Sequence, residues 1–346
     1  MFLRGHKAVQ ELPCGPFSQP NMKERQSNME LLRIVSMAMV VGVHLDGASL
    51  GLPRLDGDWT AATAGDWWRI IVEALTITGV NCFTMISGYF GIRLSWRSLG
   101  RFLGICLLYS VGIYTLFACA GGFAAPYSWK GWAESWLVLT HSDLWYVPAY
   151  FLLMLCAPVL NVGLNALAQN EFRWLLVGGA FATVWMGWAW EMPFNPTGHT
   201  ICQLVFTYAI ARYIARFNAW RLRPLAALAL FLAASALIAC DAVYQPLKAY
   251  SYNSPLVLVA SVAMFLMFRG MSFQSRWVNE LAKSAFSVYL IHKNPLVWVN
   301  IVKPTAVAAW SAMNPLEYTA FFIAAIVAAY LACAVIDTMR RTALRF

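Results

Sequence analysis

Charge is what this sequence has least of: Asp, Glu, Lys and Arg make up 12% of its 346 residues, about half the share that a water-facing domain carries. That scarcity excludes a soluble globular enzyme. With 60% hydrophobic residues and a mean hydropathy of +0.59, the solvent for this chain is lipid. Metal-binding and redox spacings are also missing. None of the eight cysteines forms a C-x-x-C pair or has a histidine at ligand spacing, so no metal is expected, and the cysteines read as buried small hydrophobes. No low-complexity stretch, internal repeat or cleavable leader is legible. Residues 1–28 are polar, with Pro13, Pro16 and Pro20, and lack the apolar core of a leader. They are expected to be a disordered cytoplasmic tail, with residues 341–346 a second one. The net charge of +9 comes from basic residues scattered between apolar blocks, which excludes nucleic acid as a partner.

What is present is a succession of apolar runs of roughly membrane-crossing length. They fall at 30–50, 70–91, 101–121, 144–168, 173–191, 200–217, 224–243, 254–269, 284–303 and 317–338. The expected fold is an all-α membrane protein, a bundle of about ten transmembrane helices over residues 29–340 with both termini cytoplasmic. That orientation puts nineteen of the 25 Lys and Arg residues on the inner side and leaves Arg54, Arg69, Lys130, Lys248, Lys293 and Lys303 outside or within spans. The split obeys the positive-inside rule. The outer loops hold Asp56, Asp58, Asp66, Glu134, Asp143 and Glu191 beside Trp59, Trp67, Trp68, Trp129, Trp132 and Trp136. Two readings stand: an interfacial aromatic belt, or a sugar-binding face of stacking rings and hydroxyl-accepting carboxylates.

Ser27-Asn28-Met29-Glu30 has the S-x-x-E form of a capping box, placing a helix start near Asn28. Arg33 then lies in the first turns, and His44, eleven residues on, returns to the same face roughly 16 Å deeper. A histidine inside a span is costly and is a functional candidate, since imidazole takes a proton near neutral pH. The alternative is a structural histidine bonded to a neighbouring helix. Ser87-Gly88 allows close approach of a helix or a ligand. Arg93, Arg97 and Arg101 recur every four residues; if helical, they form a basic stripe suited either to gripping phosphates or to anchoring the helix at the inner surface. Trp145 and Tyr146 sit at the outer edge of the fourth span, after His141-Ser142-Asp143. Tyr289, His292 and Lys293 lie in the ninth, before Pro295, and the His–Lys pair is expected to face the bundle interior. His199 reads as interfacial, and His6 belongs to the tail. Asp46 points away from His44 if the helix is regular.

NMELLRIVSMAMVVGVH, with ten residues between Arg33 and His44, resembles the opening helix of the acyltransferase-3 family of integral-membrane O-acyltransferases. FTMISGYF with its trailing arginines, LWYVPAYFLLMLCAPVLN and SVYLIHKNPL resemble that family's later segments, in the same order over residues 27–340. The resemblance implies a ten-helix core that takes an acyl group, acetyl above all, from cytoplasmic acyl-CoA (acetyl-CoA as co-substrate). The acceptor would be a hydroxyl of a surface polysaccharide or lipid-linked glycan at the inner (cytoplasmic) membrane. It implies catalytic roles for His44, as general base, and Arg33. It further implies donor binding by Ser87, Gly88, Tyr89, Arg97 and Arg101, to which the stripe adds Arg93, and substrate contacts from Trp145, Tyr146, Tyr289 and His292. The two-domain arrangement of members with an extra C-terminal periplasmic domain is not expected. A secondary transporter or flippase shares the helices and the buried ionisable groups, but an internal repeat is its usual mark, and none is legible.

Overall fold

The computed structural model describes residues 25–121, 128–140 and 144–344. Most of the expected tail, with His6 and Cys14, lies outside the described residues, as do His141, Ser142 and Asp143. Among the described residues every regular element is helical. In order these are α1 (Ser27–Val43), α2 (Ala64–Thr76), α3 (Gly79–Phe90), α4 (Trp96–Ala120), α5 (Trp129–Trp136), α6 (Tyr146–Ala166), α7 (Gln169–Ala180) and α8 (Ile201–Phe217). There follow α9 (Pro224–Ala242), α10 (Pro246–Ala249), α11 (Pro255–Arg269), α12 (Arg276–Leu281), α13 (Ala285–His292), α14 (Pro295–Val297), α15 (Lys303–Ala312) and α16 (Pro315–Leu344). Wider π turns extend α1 through His44–Ala48, continue α7 through Phe181–Ala189, and join α14 to α15 over Trp298–Val302.

Six helical segments are long and apolar enough to cross a bilayer: Ser27–Ala48, Ala64–Phe90, Trp96–Ala120, Tyr146–Ala166, Pro224–Ala242 and Pro315–Ala343. Large apolar side chains cover the perimeter, with Val159 78% and Leu225 80% exposed. In water such faces would drive aggregation; in lipid they cost nothing. The centre belongs to α1, which packs against α2, α3, α11, α12, α13 and α16. Its Met37, Val40 and Val41 join one apolar cluster with α4, α6, α13 and α16. Its Met29 and Leu32 join a second with α3, α8, α9 and α11.

Several local expectations are corrected. The S-x-x-E sequence forms no capping box: α1 has Gln26 as its N-cap without a side-chain bond. The Ser27 hydroxyl is taken by Gln274 (2.9 Å) and Asn279 (2.8 Å), and Glu30 turns to Arg33 instead. Arg93 is not part of a helical stripe. Gly91, at φ +76°, ends α3 in a conformation that a side chain resists, and Ser95 caps α4, so Arg93 falls in the extended link between them. Of the seven described cysteines only Cys82, Cys106 and Cys333 are buried; Cys119, Cys156, Cys202 and Cys240 are exposed, because lipid accepts a thiol as readily as a protein core does.

Gly88 is a contact between helices. A Cβ there would stand 2.5 Å from the Tyr208 carbonyl oxygen and 2.8 Å from its Cα, both backbone atoms of α8. The close approach that Ser87-Gly88 allows is made here by a helix. Overpacking of this kind costs about 1–3 kcal/mol or more. Gly88→Val is therefore expected to lower the thermal unfolding midpoint of the detergent-solubilised protein by several degrees, read by tryptophan fluorescence. An unchanged midpoint would contradict the close α3–α8 contact.

Candidate functional site

The site is built on α1 and the segment α13–α14. The α-helical part of α1 closes at Val43, and His44 opens a π turn, a local widening often found where a helix presents a functional group. Asp46, in the same turn, is fully buried and receives Nε of Arg69 at 2.7 Å. Arg69 also donates to the Gly51 carbonyl and lies 5.4 Å from the Trp310 ring centroid. Glu73, one turn further along α2, accepts from the Gly47 backbone. The end of α1 is thus clamped by two ionisable residues of α2.

His44 faces the other way. Its Nδ1 is 2.8 Å from Nε2 of His292, the last residue of α13. The Nδ1 of His292 lies 2.6 Å from the Val288 carbonyl oxygen one turn back in its own helix. His44 is half-buried and His292 buried. Trp298 meets the His44 ring edge-on at 5.7 Å, and Lys293 places its Nζ 3.6 Å from the centre of that indole. Pro295 and the Asn294 cap break the helix between Lys293 and Trp298, which folds Trp298 back over the pair. Tyr289, one turn before His292, lies 6.1 Å from Tyr146, so His44, His292, Tyr289 and Tyr146 form one interior group. Tyr146 is buried and shares a hydrogen bond with Thr84 at 3.2 Å. Trp145 packs on His199 (4.7 Å) and Tyr252 (5.7 Å) above it.

The remaining candidates lie at the opposite end of α1. Arg33 pairs with Glu30 at 2.8 Å and interacts electrostatically with Tyr150 and Tyr330. Ser87 shares a hydrogen bond with Tyr150 at 3.1 Å, and Tyr89 packs against Phe265. Arg97 and Arg101 are exposed on the first turns of α4. Of the loop acids expected on the outer side, Asp58 accepts from the backbone and hydroxyl of Thr60, which holds its carboxyl below the ordinary range. Asp66 completes a capping box with Thr63. Both are spent on local structure, which weakens the sugar-binding reading of those loops. Among the described residues no group of three or more His, Cys, Asp or Glu is placed to hold a metal ion.

Two clusters escaped sequence reasoning. One is Asp46–Arg69–Glu73. The other is Asp337 of α16, buried and accepting from Tyr109 (2.9 Å), Ser284 (2.9 Å), Ser287 (2.6 Å) and Arg340 (2.9 Å). The available signal was the same in each case: an ionisable residue inside an apolar run.

Fold and site together define a multi-pass helical membrane protein with its polar chemistry gathered along a central first helix. A family model described as an acyltransferase domain matches residues 26–334, and the chain belongs to this acyltransferase-3 family of membrane acyltransferases. No curated protein and no solved structure matches it significantly.

The clamp on α1 is testable. Removing one partner of a buried ion pair costs about 3–5 kcal/mol, because the other charge is left uncompensated. Arg69→Met is expected to destabilise the solubilised protein by that order in denaturant unfolding, and the double variant Asp46→Leu/Arg69→Met to recover part of the loss. Equal stability of parent and Arg69→Met would show that the pair bears no load.

Proposed function

We propose that this protein is an O-acyltransferase of the inner (cytoplasmic) membrane. It moves an acyl group, acetyl in the first instance, from cytoplasmic acyl-CoA to a hydroxyl of a surface polysaccharide or lipid-linked glycan. The observation that carries the reading is His44: a half-buried imidazole on the central helix, held at Nδ1 by His292, with no hydrogen bond at Nε2 among the described residues. A general base needs such a free nitrogen within reach of the hydroxyl that it deprotonates.

The placement of chain ends supports ten crossings with both termini cytoplasmic. Ser27 bonds to the 274–279 segment, Asn161 to Ile92, Arg216 to Leu164 and Arg269 to Ala219, so these stretches share one face. Arg69 bonds to Gly51, Gly57 to Val243 and Tyr252 to Thr197, and Tyr250 to Ile70 at the other. The faces alternate along the chain, and four segments beyond the six long ones (169–189, 201–217, 255–269 and 276–312) complete the count.

In this reading CoA phosphates dock on Arg97 and Arg101 at the inner face, with Arg93 beside them in the link. Ser87, Tyr89 and Arg33 line the donor side. The thioester reaches inward to His44, while the acceptor enters past Trp145, Tyr146 and Tyr289. The acceptor oxygen bonds to the thioester carbonyl carbon as His44 takes its proton. The C–S bond then breaks, and the proton passes to the departing CoA sulfur.

His44→Ala is expected to abolish acetyl transfer from acetyl-CoA to membrane glycan while expression and insertion stay normal; transfer near the parental level would end the general-base assignment. An arginine–phosphate contact contributes roughly 1.5–3 kcal/mol. Arg97→Gln or Arg101→Gln is therefore expected to weaken acetyl-CoA binding by about ten- to a hundredfold, and Arg97→Lys, which loses the guanidinium fork, to weaken it less. Unchanged affinity in all three would reduce these arginines to topological anchors. For the orientation, a cysteine introduced at position 57 is expected to react with an impermeant maleimide in intact cells and one at 220 to stay unlabelled. The reverse pattern would move donor entry to the opposite side.

A further inference from the structure

The two-histidine contact has only one arrangement of protons that satisfies its partners while both rings are neutral. The Val288 carbonyl can only accept, and it lies 2.6 Å from His292 Nδ1, so that nitrogen carries the hydrogen. A neutral imidazole has one N–H, which leaves His292 Nε2 as a bare acceptor. Nε2 is 2.8 Å from His44 Nδ1, so His44 must donate there. The opposite assignment would set the His292 Nδ1 lone pair against the Val288 oxygen. Followed outward, the chain ends at His44 Nε2, unprotonated and without a partner among the described residues.

We infer that His292 is a positioning residue that locks His44 in its Nδ1–H tautomer, aiming the Nε2 lone pair at the acceptor hydroxyl. This rests on the acyl-transfer reading of His44. In the transfer step His44 Nε2 takes the hydroxyl proton, and its positive charge is shared across the Nδ1–H···Nε2 bond with His292. No atom is gained or lost by His292, and the proton leaves from His44 Nε2 to the CoA sulfur. The helix's own carbonyl, through one imidazole, does here the orienting that a carboxylate does in a Ser-His-Asp triad, where the wrong tautomer lowers kcat by about 10⁴. Among the described residues no carboxylate is bonded to either ring: Asp46, two residues from His44, is held by Arg69.

The test is ¹⁵N NMR of the histidine-labelled full-length protein in lipid, with His44→Ala and His292→Leu used for assignment. In the parent, His44 is expected to show a protonated Nδ1 and a bare Nε2, and His292 a protonated Nδ1. A protonated His44 Nε2 in the resting protein would overturn the inference, whatever the activity data say. The second arm is radiolabelled acetyl transfer from acetyl-CoA to membrane glycan. His292→Leu is expected to lower kcat by about 10²- to 10⁴-fold, the range of a general-base contribution, with KM for acetyl-CoA unchanged. His292→Gln, whose amide oxygen can stand where Nε2 stands, is expected to restore a substantial part. Parental kcat in a folded His292→Leu protein would overturn the inference and leave the acyltransferase reading intact. Parental transfer in His44→Ala would sink that reading while the tautomer remained measurable.

Discussion

The structure depends on one constraint: its least apolar long spanning segment is the one around which six other helices pack. Helix α1 is wrapped by six others and carries Ser27, Glu30, Arg33, His44 and Asp46. With no water in the surround, each must find a partner within the protein. Ser27 finds the chain before α12, Arg33 and Glu30 find each other, Asp46 finds Arg69 of α2, and His44 finds His292 of α13. The bonds of Ser27, Asp46 and His44 tie the chain before α12, α2 and α13 to α1.

The proposed chemistry follows from the same requirement. In the π turn after Val43, Asp46 and His44 serve opposite sides of α1, one toward α2 and one toward α13. The Asp46–Arg69 bond holds the turn, and the helix break at Asn294-Pro295 brings Trp298 against the imidazole. Rigid support on one side and a half-open ring on the other is what a preorganised base requires. The arginines at the start of α4 lie at the far end of the bundle, as a donor arriving from the cytoplasm would need.

Much of this was legible in the sequence. Hydropathy placed the long helices because lipid imposes long apolar runs, and spacing along α1 placed Arg33 and His44 on one helix. The ordered motifs pointed to the family. The partner choices were not legible, because they join residues far apart in the chain: nothing near His44 predicts that residue 292 meets it, or that Arg69 takes Asp46. The S-x-x-E signal misled because a tertiary bond outcompeted the local cap at Ser27. The arginine period misled at Arg93 because Gly91 and Ser95 interrupt the helix that the spacing presumed. Gly88 carried the right physical meaning, close approach, without saying to what.

The most direct test of the account is sided transfer in oriented vesicles. With radiolabelled acetyl-CoA outside, inside-out membranes are predicted to label their glycan and right-side-out membranes to stay unlabelled, with no requirement for an ion gradient. Labelling only in right-side-out vesicles, or movement of substrate that needs a gradient and no thioester, would contradict it.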